Sequence, residues 1–376
     1  MQKLGGYEFW KSIGSPKFVC APMVDQSELP FRLLIKEYGV TLAYTPMLHG
    51  RYFQNDKKYR QRYFQFEPEL EVPVFAQFCT HDPNIFVNCG KLAWEMSGGK
   101  IAAIDLNLGC PQRIAKRGRY GSFLMEDFDL VYSIINKAHL ELPIPVTAKI
   151  RIFEDLQLTL QYVDTVVSAG AQVLCVHGRT RAQKGPFQNY ADWNVIKAIR
   201  EHVPQIPVIA NGNIRTYQDV LDCLQYTGVD AVMSAEALLE NPSLFNKGEH
   251  VHPLQVCDRY VDICKHHFPP DHNNIKRHLF RILDRSLGGA ENNDLRIMLG
   301  KAKLWEHYRG FVDHIKEHQE RLDFSNYIVD YEPSIRVVED PENHPIIKNP
   351  KKNRQEDDVA SDNGDNSCCE EEEDVE

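Results

Sequence analysis

The residue best equipped for chemistry is Cys110. It lies in the stretch NLGCPQRIAKRGRYG (107–121), just past an apolar run and pinned by Pro111. A metal ligand would need partners at ligand spacing, and none of the ten cysteines forms a CxxC pair or a zinc pattern. A nucleophile would need a lowered pKa and a neighbouring base. An unperturbed thiol, with a pKa of ~8.5, is mostly protonated at neutral pH and can give its proton to a carbon that has just received a hydride. That general-acid role stands beside the plain alternative of a packed loop cysteine. The basic residues that follow, Arg113, Lys116, Arg117 and Arg119, are punctuated by Gly118 and Gly121. They read either as a glycine-hinged flap whose charges meet nucleic-acid phosphates or as a solvated surface loop.

Further polar groups recur at the ends of apolar runs: Met23, Gln77, Asn107, Lys149 with Arg151, His177 with Arg179, and Asn211 with Asn213. A lysine and an imidazole on one rim suit a planar ring that carries negative charge, such as a reduced flavin. Gln77 would meet the opposite ring edge, and the backbone of Pro22, Met23 and Val24 the ring face. A lysine alone would fit Schiff-base chemistry equally well; the accompanying His and Asn residues favour flavin. The small residues Gly212 and Ala235, in ANGNI and VMSAEALL, let backbone N–H groups approach a phosphate, with Asn211, Asn213 and Glu236 beside them.

The elements that must position these groups are short β-rich runs at 18–23, 41–47, 72–78, 101–109, 144–151, 172–178, 206–212 and 230–235. Helical patterns such as FRLLIKEYG (31–39) and WNVIKAIREH (193–202) lie between them. Eight β–α units in series predict an α/β fold of the (β/α)8 TIM-barrel type, whose catalytic face is the carboxyl end of the strands. A doubly wound sheet is the structural alternative. Residues 1–250 form the expected FMN-binding barrel domain. Residues 251–330 read as a small helical domain, with one amphipathic helix over 275–287 that stacks Arg277, Arg281 and Arg285 on one side for phosphate contact. Residues 331–376 read as a flexible segment with a disordered acidic tail.

Composition narrows the class. Residues 351–376 hold 3 Lys/Arg against 11 Asp/Glu, so −8 of the formal charge of −10 sits there and only −2 on the rest. The acidic total therefore does not exclude a nucleic-acid substrate. No run approaches the ~20 apolar residues of a membrane span, and the N-terminal stretch MQKLGGYEFWKSIGS has no secretory apolar segment. A reduced, cytoplasmic protein is expected, with a nuclear share left open.

Taken in order, APM (21–23), AQF (76–78), DLNLGCP (105–111), KIR (149–151), VHGRT (176–180) and ANGNI (210–214) resemble the tRNA-dihydrouridine synthases. The stretches CAPMVDQSELPFR, YTPMLH, KRGRYGSFLM and VMSAEALLENP resemble the eukaryotic branch that acts on D-loop uridines 16 and 17. The resemblance implies bound FMN, NADPH as a transient reductant with NADH an alternative, and a helical domain that grips tRNA. It implies no DNA or membrane partner, and a monomer is expected. It places Pro22, Met23, Gln77, Lys149 and His177 against the flavin ring, and Asn211, Gly212, Asn213, Ala235 and Glu236 at its phosphate. Asn107 and Arg151 fall near the uracil, Arg179 joins the RNA-facing cations, and Cys110 is the proton donor to C5 after hydride reaches C6. One departure stands out. Many members carry Gly-Arg where this chain has Ala235–Glu236, so Glu236 should offer only its N–H, and Asn211 or Arg215 would have to take the cation's place. Two other readings stay open: a flavin barrel that reduces a small pyrimidine, and a catalytically silent RNA-binding barrel.

Overall fold

The computed structural model describes residues 3–185 and 189–324; the segment expected to be an acidic tail lies outside them. All eight predicted runs are strands: β1 (Phe18–Cys20), β2 (Leu42–Tyr44), then a short extra β3 (Leu48–His49), β4 (Val74–Cys79), β5 (Ala103–Leu108), β6 (Val146–Arg151), β7 (Ala171–His177), β8 (Val208–Asn211) and β9 (Ala231–Ser234). Every pairing is parallel, in the order β2-β1-β9-β8-β7-β6-β5-β4-β3, and β2 also pairs with β4, which closes an eight-strand ring with β3 appended to β4. The doubly wound alternative is thereby excluded.

Alternation along the strands sorts the side chains. Phe78, Ile104, Leu106, Ile150 and Val176 face the surrounding helices. Val19, Leu42, Phe75, Ala103, Val173 and Ala231 fill the barrel interior, where the helix Gly6–Ser12 adds Phe9 and Trp10. Phe9 stacks on Phe75 at 5.9 Å. Full burial of such aliphatic and aromatic side chains contributes about 1.5–3 kcal/mol each, so this end of the barrel is closed by packing. The polar interior residues are left to the carboxyl end.

The helices Pro253–His266 and His272–Ile282 pack against the first β–α unit. Glu28, at the start of the helix Leu29–Glu37, is fully buried between them. Tyr260 Oη donates to it at 2.8 Å, and His278 Nε2 lies 3.1 Å away with its ring stacked on Phe31 at 4.3 Å. Burial pushes the Glu28 carboxyl up, but the charge and hydrogen bond of His278 and the Tyr260 hydroxyl outweigh it and hold the pKa below the usual value. A buried carboxylate that loses a donor meets its desolvation penalty. Tyr260→Phe is therefore expected to lower unfolding stability by about 1–3 kcal/mol, read as a lower urea midpoint at unchanged m. An unshifted midpoint would mean that Glu28 needs no second donor.

The expected single helix over 275–287 is not continuous. It ends at Ile282, Leu283 leaves helical geometry, and Asp284–Leu287 forms a separate turn. The arginine stripe is broken with it. Arg277 Nη1 turns to Asp25 Oδ2 at 2.8 Å, because Asp25, held at φ 57, presents its carboxylate to the helix while its carbonyl accepts from Asn274. Arg285 lies 3.8 Å from Glu240, and Arg281 is exposed.

Candidate active site at the carboxyl ends of the strands

A buried polar chain runs from the middle of the barrel to Cys110. Asp105 faces inward from β5 and accepts from Thr147 Oγ1 on β6 at 2.7 Å and from Gln77 Nε2 on β4 at 2.8 Å. Gln77 Oε1 accepts from Asn107 Nδ2 at 2.8 Å. Asn107 Oδ1 in turn accepts from the backbone N–H groups of Gly109 (3.2 Å) and Cys110 (3.0 Å). Each link fixes which end of the next amide points where, so Asp105 sets the orientation of Gln77, Asn107 and the Cys110 turn. Burial raises the Asp105 pKa to about 6, against hydrogen bonds from Thr147 and Gln77 and the charge of Lys149 that lower it.

The Cys110 turn is closed from the other side by the residues after it. Ser122 donates both its N–H and its hydroxyl to the Cys110 carbonyl, and Arg151 Nε donates to the Gly109 carbonyl at 2.8 Å. Gly121 sits at φ 64, where a Cβ would come within 2.7 Å of the Cys110 carbonyl oxygen. The glycines of the basic tract are thus explained by geometry. Gly118 ends the helix Arg113–Arg117, and Gly121 allows the close approach. Arg113, Lys116, Arg117 and Arg119 are all exposed and form no ion pair among the described residues, while Ala115 and Tyr120 are buried. Burial raises the Cys110 pKa above its ordinary value, although the Gln112 backbone and the charges of Arg151, Lys149 and Lys184 pull the other way. The thiol is therefore protonated at neutral pH, which suits a proton donor and disfavours a nucleophile.

Across the mouth stand three cations. Lys149 Nζ donates to Asn211 Oδ1 at 3.0 Å, and Asn211 Nδ2 is held by the Met233 carbonyl. Arg151 also donates to the carbonyls of Thr180 and Gln183, and burial pulls its pKa down to about 10, still charged at neutral pH. Arg179, expected among the RNA-facing cations, turns inward instead. Its Nη1 meets His177 Nε2 at 2.9 Å, its Nη2 donates to Asn213 Oδ1 at 2.8 Å, and its Nε to the Asn189 carbonyl. A guanidinium only donates, so His177 Nε2 accepts and the hydrogen resides on Nδ1. Burial and the charges of Lys149, Arg151 and Arg179 push the His177 pKa well below its usual value, so the imidazole is neutral.

Gly212 at φ 112 and Asn213 at φ 64 turn the chain sharply after β8, and a Cβ on Gly212 would meet Ala191 at 2.6 Å. The backbone N–H groups of Gly212, Asn213, Ala235 and Glu236 make no hydrogen bond among the described residues. Glu236 is exposed, and Arg179 feels its charge and that of Arg215. Pro22 and Met23 are half-buried beside the mouth, and Val24 is exposed. Deep cations facing a single interior carboxylate, with four unpartnered amides on neighbouring strand ends, fit a planar group that bears a phosphate. No cluster of His, Cys, Asp or Glu among the described residues could hold a metal. The sequence reading overlooked Asp105 and Thr147, and the signal was the polar residue alternating inward with Asn107 in IAAIDLNLG.

A sequence profile described as dihydrouridine synthase (Dus) matches residues 19–327. The chain belongs to the dihydrouridine synthase family. A protein of Rattus norvegicus named tRNA-dihydrouridine(16/17) synthase (NAD(P)(+))-like is 47% identical over 309 residues, 81% of this chain and 68% of that protein. The tRNA-dihydrouridine(16/17) synthases of Saccharomyces cerevisiae and Schizosaccharomyces pombe are 45% and 46% identical, over 82% and 75% of this chain and 75% and 73% of their own lengths. A tRNA-dihydrouridine(20a/20b) synthase of Schizosaccharomyces pombe is 36% identical over 65% of this chain. The matched region holds every residue of the mouth described above.

Proposed function

We propose that this dihydrouridine synthase reduces the C5=C6 bond of uridines 16 and 17 in the tRNA D-loop, with FMN in the barrel mouth and NADPH as the electron source. The observation that carries the reading is the Cys110 turn, braced by Asn107, Ser122 and Arg151, opposite Lys149, Arg151 and Arg179, which form no ion pair among the described residues. Relatives named for positions 16/17 share more identity with this chain, 47% in the rat protein, than the fission-yeast protein named for 20a/20b, at 36%, which favours the 16/17 positions.

In this reading FMN, when bound, supplies the hydride that uridine C6 accepts. Lys149 and the Nδ1–H of neutral His177 hold the ring, Gln77 meets it with an amide whose direction Asp105 sets, and Pro22 and Met23 line its face. The amides of Gly212, Asn213, Ala235 and Glu236 take the phosphate, with Arg179 rather than Arg215 as its cation. Asn107 offers a fixed amide to the uracil, and Arg151 steadies the turn beneath it. Cys110 then gives its proton to C5, and burial keeps that proton in place until the base arrives. A uridine must leave its stack to reach this mouth. The helices of 253–317 supply the second grip on the tRNA, a domain of its own in this reading.

The test uses the full purified chain, NADPH and a tRNA transcript free of modification. Flavin absorbance and dihydrouridine at positions 16 and 17, mapped by mass spectrometry, are expected. A colourless protein, or equal turnover of free uridine, would overturn the reading.

A further inference from the structure

A row of aromatic rings runs outward from the Cys110 turn. Tyr120, packed with Cys79 and Cys110, meets the His49 ring edge-on at 5.7 Å; His49 lies 4.7 Å from Tyr52, Tyr52 5.8 Å from Tyr59, and Tyr59 4.8 Å from Tyr63. The Arg62 guanidinium sits over the Tyr63 ring at 5.3 Å. Tyr52, Tyr59 and Tyr63 are carried by the helices Gly50–Asn55 and Lys57–Tyr63, which follow β3, and the Tyr59 hydroxyl accepts from the His49 backbone N–H. At its far end the row reaches the helical segment, where Arg62 donates to the Pro270 carbonyl and to Asp271.

The surface around this row is basic. Arg51, Lys57 and Lys58 are exposed and form no ion pair among the described residues. The one acid within 49–63, Asp56, is occupied in capping the second helix through the N–H groups of Lys58 and Tyr59. On the other side of Tyr120 stand the equally unpaired Arg113, Lys116, Arg117 and Arg119. Tyr52 is 51% exposed, and its ring is supported by those of His49 and Tyr59. A buttressed, exposed aromatic flanked by unpaired cations is the combination that binds single-stranded nucleic acid, because every base has a stacking face and every nucleotide a phosphate.

We propose that residues 49–63 form a stacking platform for the unpaired nucleotides that flank the target uridine. Tyr52 takes a base, and Arg51, Lys57 and Lys58 take phosphates. The proposal rests on the reading that the substrate is tRNA. Two variants of the full chain test it against an unmodified tRNA transcript, by measuring Kd over a range of salt. Tyr52→Ala should weaken binding about five- to hundredfold with the salt slope unchanged. Lys57→Gln/Lys58→Gln should lower the slope of log Kd against log salt by about 1.5. Unaltered affinity and slope in both variants, beside a wild type that binds and reduces tRNA, would overturn the platform alone and leave this face to a protein partner or to solvent. A wild type that does not bind tRNA would overturn the substrate reading and the platform with it.

Discussion

Cys110→Ala is expected to lose dihydrouridine formation by about 10²–10⁴-fold, the range a positioned general acid contributes, while NADPH still bleaches the flavin absorbance at close to the wild-type rate. The split follows from what the side chain touches. The backbone of the Cys110 turn is held by Asn107, Ser122 and Arg151, none of which bonds to its sulfur. Removing the sulfur therefore leaves the mouth intact and deletes only the proton. Alanine also leaves a small gap, where water could act as a poor substitute, so the loss is finite. Cys110→Ser separates proton supply from shape: the hydroxyl fits, but it is a far weaker acid than the thiol, so turnover should stay near that of the alanine variant. Stopped-flow absorbance measures the reductive half, and mass spectrometry of the tRNA the other. Wild-type dihydrouridine yield from Cys110→Ala would remove the thiol from the acid role.

How far the sequence foretold this site depends on the residue. The eight strands were legible because parallel strands buried on both faces read as short apolar runs, and the residues at their carboxyl ends followed from the barrel alone. The same logic could not assign partners. Arg179 looked like one more surface cation, yet the sharp turn at Gly212–Asn213 brings an amide oxygen within reach of the same guanidinium that meets His177. Arg277 and Arg285 matched a helical period, but periodicity does not reveal that Asp25 and Glu240 from other elements await them. The glycines at 118 and 121 suggested hinges and turned out to serve a helix end and a close backbone contact. Long-range pairing is what single-sequence patterns lack. The aromatic row from Tyr120 to Tyr63 escaped notice for the same reason, since its first ring is 57 residues away from its last in the chain.

Asp105 carries the second large effect, and two substitutions divide its roles. In Asp105→Asn the new Oδ1 can still accept from Gln77 Nε2, and the new Nδ2 can donate to the Thr147 hydroxyl, which accepts as readily as it donates. The amides of Gln77 and Asn107 keep their directions. Asp105→Leu removes the acceptor. Gln77 is then free to turn over, which would set its NH2 against that of Asn107. If Asn107 turned as well, its NH2 would face the N–H groups of Gly109 and Cys110. The fault thus travels to the catalytic turn, and turnover should fall about 100-fold, the scale of a misplaced catalytic group. Native-state alkylation of Cys110, followed by peptide mass spectrometry, should quicken at least tenfold in the leucine variant and stay at the wild-type rate in the asparagine variant. Gln77→Met, which cuts the same chain one link on, should copy the leucine variant. Stability moves the opposite way. The folded pKa of Asp105, about 6, lies above the ordinary 3.8, so the carboxyl is most compatible with folding below pH 4, and that contribution is lost as pH rises through 6. At pH 7.5 the buried charge costs of order 2–3 kcal/mol. Asp105→Asn should therefore be more stable than wild type by up to that amount at pH 7.5, with the gap closing toward pH 4. Asparagine would keep contact with Gln77 and Thr147 but not the charge that Asp105 sets beside Lys149. Equal stability of the two proteins across that range, with unchanged Cys110 alkylation in Asp105→Leu, would show that Asp105 neither bears a buried charge nor orients the turn.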